Sequence, residues 1–154
     1  MASMESADMR WKQRFANYKR AHNRLKNAVA FFERTAGIGS DKDIADKDIA
    51  MEDIAMEALI KCFEFTFELA WQTMKDFVSY QGSEKKINGS CDSIRGALQF
   101  DLIENGECWM DMIDDRNRAT HAYDEAGARS LVGRIVECYY GEFKKFEEKM
   151  DTLS

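Results

Sequence analysis

Trp11, Phe15, Tyr18, His22, Leu25, Val29 and Phe32 recur at alternating intervals of four and three, which puts them on one stripe of an α-helix. The pattern predicts a first long helix from about Met9 to Thr35, ended where Gly37 and Gly39 let the backbone turn away. Asp41 to Ala55 then repeats a pentad, DKDIA, DKDIA, MEDIA. Five residues advance a helix by roughly 140° beyond a full turn, so Ile44, Ile49 and Ile54 cannot share one face. Residues 40–55 are therefore expected to be a low-complexity insert, either a mobile loop or a frayed helical extension, with a dedicated binding element as the alternative. A second long helix follows from about Asp53 to Tyr80 on Ala55, Leu59, Cys62, Phe63, Thr66, Leu69, Ala70, Met74 and Phe77. Beyond the turn region Gly82 to Gly89, Ser90 or Asp92 can cap a short helix running to Leu102, and Asn105-Gly106 breaks it. A fourth segment spans Glu107 to about His121. The last helix starts near Asp124 and Glu125, whose charges suit a helix N-terminus, and continues through Leu131, Ile135, Tyr139, Phe143, Phe146 and Met150.

Three long and two short helices with brief connections pack most economically as an all-α, up-and-down four-helix bundle with an additional short helix. The 154 residues contain no proline, consistent with helix throughout and with a single core. One domain is expected over residues 9–154, after a leader of eight residues that is disordered or left over from cloning. With no apolar run of bilayer length and no apolar signal segment, a cytoplasmic protein without a membrane partner is expected. The widely separated Cys62, Cys91, Cys108 and Cys138 lack zinc-site spacing and read as reduced, mainly buried thiols.

Charge is unevenly distributed. Arg10 to Lys26 holds seven basic residues and no acid, within a chain of net charge −6. That helix either offers nucleic acid an approach or is a solvated basic face. Asp101 to Glu125, in contrast, carries eight acids against Arg116 and Arg118, a neighbourhood that repels RNA. Glu64 and Glu68 share a face of the second helix. Without a matching Glu-x-x-His element they are expected to pair with Arg95, or with Arg116 or Arg118, rather than hold a metal. His22 lies on an apolar stripe and reads as a core or seam histidine.

The densest chemistry is Arg116, Asn117, Arg118, Ala119, Thr120, His121, Ala122 and Tyr123. A guanidinium grips phosphate, an imidazole moves protons near neutral pH, and a phenol accepts modification. On a continuous helix Arg116 and His121 would be about 140° apart, so they converge only if Arg116 reaches across, if the helix ends there, or if a second subunit completes the site. The plainer alternative pairs Arg116 with Asp111, Asp114 or Asp115, leaves His121 as a helix cap and packs the Tyr123 ring against the last helix.

The run Phe63 to Trp71, then Trp109-Met110-Asp111-Met112, then Asp115 to Glu125, closely resembles the nucleotidyltransferase substrate-binding protein family of the HEPN superfamily. The likeness spans roughly Trp11 to Leu153. The pentad insert, Cys91 and Asp101 depart from the family pattern. The resemblance implies a four-helix bundle, a homodimer and a minimal nucleotidyltransferase encoded by a neighbouring gene. In related toxin-antitoxin modules it further implies a metal-independent ribonuclease that leaves a 2′,3′-cyclic phosphate. Arg116 and His121 would then be catalytic and Asn117 and Arg118 supporting, with Glu64, Glu68 and Asp115 as possible charge partners. Tyr123 would be the acceptor for a silencing AMP. The chain itself would need no cofactor, ATP and magnesium being used by the partner. The alternative implied by the same family is a non-catalytic subunit that presents substrate to the nucleotidyltransferase.

Overall fold

The computed structural model describes residues 4–38, 46–82, 86–119 and 124–154. They form α1 (Met4–Ile38), α2 (Asp46–Tyr80), α3 (Gly89–Gln99), α4 (Gly106–Ala119), α5 (Glu125–Arg134), a π-helical turn (Ile135–Tyr139) and α6 (Tyr140–Leu153). The architecture is all-helical, and no helix among the described residues is long and apolar enough to cross a membrane. α1 and α2 make the most extensive helix pair, and the segment from α5 to α6 packs back across them.

The first helix begins at Met4, five residues before the Met9 that its stripe predicted. Asp8 explains the extension, because its carboxylate accepts from Trp11 Nε1 at 2.8 Å and pairs with Lys12 at 3.0 Å. An acid in the first turns opposes the helix macrodipole and partly offsets the basic residues that follow. The pentad divides. Residues 41–45 lie outside the described residues, whereas Asp46 to Ala55 belong to α2, which is the helical-extension reading. Ile54 points to solvent while Ala55, Met56 and Leu59 are buried, as the offset of the repeat requires. Glu52 ties the extension to α5 through Arg129 at 2.8 Å.

The core is aromatic. Trp11, Phe15, Tyr18, Phe63, Phe67, Trp109, Tyr139, Phe143 and Phe146 are all fully buried. Trp109 meets Phe143 and Phe146 edge-on with centroids 5.5 and 5.8 Å apart, the geometry that aromatic quadrupoles favour. His22 is buried beside Tyr18 and Tyr140, its Nδ1 3.2 Å from Glu147, in the seam position that its stripe predicted.

Where a continuous last helix was expected, the structure inserts the π-helical turn. Leu131, Ile135, Tyr139 and Phe143 follow one another at intervals of four with no interval of three, yet all four are buried. On a regular α-helix each interval of four drifts about 40°, so three in succession would carry Phe143 about 120° off the core face. A wider turn takes up the extra residue and returns the stripe to the core.

Candidate functional site

α4 is capped at its start by Asn105, whose Oδ1 accepts the Cys108 N–H at 3.1 Å. Arg116 and Arg118 stand in its last turn, where cations suit the negative end of the helix dipole. Consecutive residues of a helix point about 100° apart, and Asp115 and Arg116 use this to reach opposite neighbours.

Arg116 turns toward α2. Its Nη2 donates to Glu68 Oε2 at 2.8 Å, in a pair whose side chains are 36% and 32% exposed. Glu68 is itself held in place. Its Oε2 accepts from Trp71 Nε1 at 3.0 Å and its Oε1 from Gln72 Nε2 at 2.9 Å. Gln72 Oε1 in turn accepts from Arg14 Nη1 at 2.7 Å, and Arg14 Nε reaches Asp76 at 3.1 Å. Glu68, Gln72 and Asp76 are four residues apart, so they form a polar ridge along α2. Two arginines from different helices, Arg14 of α1 and Arg116 of α4, grip that ridge.

Asp115 turns the other way and is 3% exposed. Arg134 clasps it with two hydrogen bonds, Nε to Oδ2 and Nη2 to Oδ1, both 2.7 Å. The Tyr139 hydroxyl donates to Oδ2, and Arg134 is steadied by Ser130. Burial, followed by the Asp115 carboxylate, pushes the Tyr139 phenol well above its ordinary value, so it stays a donor at physiological pH. The π-helical turn places this hydroxyl, since Tyr139 is its last residue.

Among the expected charge partners, then, Glu68 holds Arg116, while Asp115 accepts from Arg134 and Tyr139. Glu64 is half-buried and makes no ion pair among the described residues. The pairing of Glu68 with Arg95 does not occur; Arg95 instead lines a groove of about 400 Å³ with Lys86, Asp92 and Gln99, between the end of α2 and α3. Asn117 and Arg118 are exposed beside Arg116. His121 and Tyr123 lie outside the described residues, so the expected approach of His121 to Arg116 and the role of Tyr123 as an acceptor are not described. The basic face of α1 is partly neutralised: Lys12, Arg14 and Lys19 pair with Asp8, Asp76 and Asp151. No cluster of three His, Cys, Asp or Glu residues able to hold a metal occurs among the described residues.

A family model described as nucleotidyltransferase substrate binding protein like matches residues 13–152. The chain belongs to this family. Among solved structures, HI0074 of Haemophilus influenzae, described as revealing the fold of a substrate binding domain of a nucleotidyltransferase, is similar at 27% identity and a TM-score of 0.63. That likeness covers 84% of this chain and 98% of HI0074. No curated protein matches significantly. The substrate-binding family match takes in every residue of the Arg116 and Asp115 clusters.

Proposed function

We propose that this protein is the non-catalytic substrate-binding subunit of a two-component nucleotidyltransferase, working beside a separate subunit that carries the transfer chemistry. The observation that supports it is the Arg116–Glu68 pair. Arg116 is preoriented by Glu68 through one nitrogen, about a third exposed, and neighboured by the exposed Arg118. A guanidinium placed in this way meets an anionic substrate group at little reorganisation cost. Binding of this kind requires no proton transfer. The test is nucleotide transfer by the neighbouring-gene nucleotidyltransferase, measured with and without this chain. The chain should lower the KM for substrate, and Arg116→Ala should remove that effect while leaving complex formation intact. An unchanged KM overturns the proposal.

A second reading, the metal-independent ribonuclease restrained by AMP on Tyr123, is supported by Arg116 being accessible at the start of the motif that continues to His121. In it Arg116 stabilises the phosphate and His121 moves protons during attack by the RNA 2′-hydroxyl. The purified chain alone should then cut RNA in chelator. Arg116→Ala or His121→Ala should abolish cleavage, and Tyr123→Phe should block AMP addition. Absence of cleavage by unmodified protein removes this reading and leaves the first standing.

A further inference from the structure

The thiols of Cys108 on α4 and Cys138 in the π-helical turn face one another with Sγ atoms 2.7 Å apart, across 30 residues of chain. Both are reduced. We infer that Cys108 and Cys138 form a reversible disulfide site, closed by a peroxide-class oxidant and opened by a dithiol, that tethers α4 to the π-helical turn.

Three features single out this pair. The first is proximity: closing the bond requires a shift well under 1 Å in the sulfur separation, given a disulfide length of about 2.05 Å. The second is asymmetry. Cys108 is buried, whereas Cys138 is only partly so, so the oxidant meets Cys138 first. Burial and the contact with Cys138, reinforced by the Glu142 and Asp111 carboxylates, also push the Cys108 thiol well above its usual value, which keeps it protonated until a partner sulfur becomes electrophilic. The third is placement. Cys138 immediately precedes Tyr139, whose hydroxyl holds Asp115, and Asp115 immediately precedes Arg116. A covalent tie at Cys138 therefore acts on the element that orients the end of α4.

The chemistry balances in two steps. The Cys138 thiolate attacks one peroxide oxygen, the O–O bond breaks, and hydroxide leaves as water after protonation, giving a sulfenic acid. The Cys108 sulfur then attacks the Cys138 sulfur. The S–O bond breaks, the S–S bond forms, and the departing hydroxide takes the Cys108 proton and leaves as water. Two thiols lose two electrons and two protons, and the peroxide is reduced to two waters.

The experiment treats the full chain with stoichiometric hydrogen peroxide, alkylates it with a maleimide under denaturing conditions and measures intact mass. Reduced protein should take four adducts, one for each cysteine. Oxidised protein should take two, weigh about 2 Da less before alkylation for the two hydrogens lost, and yield a linked peptide pair containing Cys108 and Cys138. Dithiothreitol should restore four adducts. Cys108→Ser should leave Cys138 as a sulfenic acid trapped by dimedone, whereas Cys138→Ser should leave Cys108 unreactive on the same timescale. Four adducts after peroxide, or a disulfide mapped to Cys62 or Cys91, overturns the inference.

Discussion

Asp115→Asn tests the buried clasp most directly, because it keeps the shape of the side chain and removes its charge. Asp115 is 3% exposed, and its carboxylate accepts from Arg134 Nε and Nη2 and from the Tyr139 hydroxyl. An amide offers one oxygen where two were engaged, so one donor of Arg134 faces an NH2 group and the guanidinium loses its counter-charge. Breaking a fully buried pair by removing one partner costs about 3–5 kcal/mol. The Arg134 side chain is 38% exposed, so water recovers part of that loss and the expected cost is about 2–3 kcal/mol. For a domain of this size it should appear as a fall in melting temperature of roughly 5–10 °C. In urea it should lower the midpoint by about 1 M with an unchanged slope. Tyr139→Phe removes one hydrogen bond to a charged acceptor and should cost about 1.5 kcal/mol. Because the two changes share an oxygen, the double variant should be non-additive by at least about 0.5 kcal/mol. Asp115→Asn within about 0.5 kcal/mol of wild type, or strict additivity of the pair, would refute the reasoning that the clasp anchors α4.

The exposed pair should behave differently. Glu68→Gln is expected to cost under about 1 kcal/mol in urea melts, while raising the KM for substrate in the transferase assay, since Arg116 loses its fixed orientation. Phe63→Ala, which empties a fully buried site stacked 5.4 Å from Tyr139, should cost about 3–5 kcal/mol by denaturant titration. Burial, with the Glu147 charge beside it, raises Tyr18 well above the ordinary phenol value of 10.0, so the folded state keeps a proton that the unfolded chain releases. Stability should be intact below pH 10 and fall above it by about 1.4 kcal/mol per pH unit for each such phenol. Tyr18→Phe should flatten that alkaline slope by one proton, as read from stability measured across pH, at a fixed cost of about 1 kcal/mol for the hydrogen bond to the Phe143 carbonyl.

Periodicity carried the long helices because their buried residues repeat on one face, and the Trp11 to Phe32 stripe is buried or half-buried along its length. It failed to anticipate the π-helical turn, although the three successive intervals of four from Leu131 to Phe143 held the clue. Glu68 was legible as an acid that needed an arginine, but the ridge it begins went unread, although Gln72 and Asp76 follow at the same spacing. What single-chain spacing does not encode is which remote cation arrives. Arg14 and Arg116 reach the ridge from 58 and 48 residues away. Tyr139, a partner of Asp115, read as a stripe residue of the last helix and Arg134 carried no signal of its own, because only the wider turn brings both to one carboxylate. The acid and arginine adjacent in sequence, Asp115 and Arg116, invited the assumption of a local pair, whereas a helix directs neighbours about 100° apart.

That divergence separates two tasks at the end of α4. Helix ends ordinarily fray, and an anion-binding arginine on a frayed turn would spend its binding energy on ordering the backbone. Here the buried Asp115 clasp supplies the ordering, with Arg134 and Tyr139 both donating to one buried carboxylate. The Arg116–Glu68 pair is the accessible one. It lies at the surface, contributes under about 1 kcal/mol to folding, and orients the guanidinium through one nitrogen, so on the proposed function an incoming phosphate or carboxylate meets Arg116 with the pair intact. Were the assignments reversed, with Arg116 in the buried clasp, recruiting it to a ligand would leave an uncompensated buried carboxylate, at a cost of several kcal/mol. On the proposed function, the placement of the stronger clamp on Asp115 and the weaker one on Arg116 is therefore what would let the same turn be rigid and still bind.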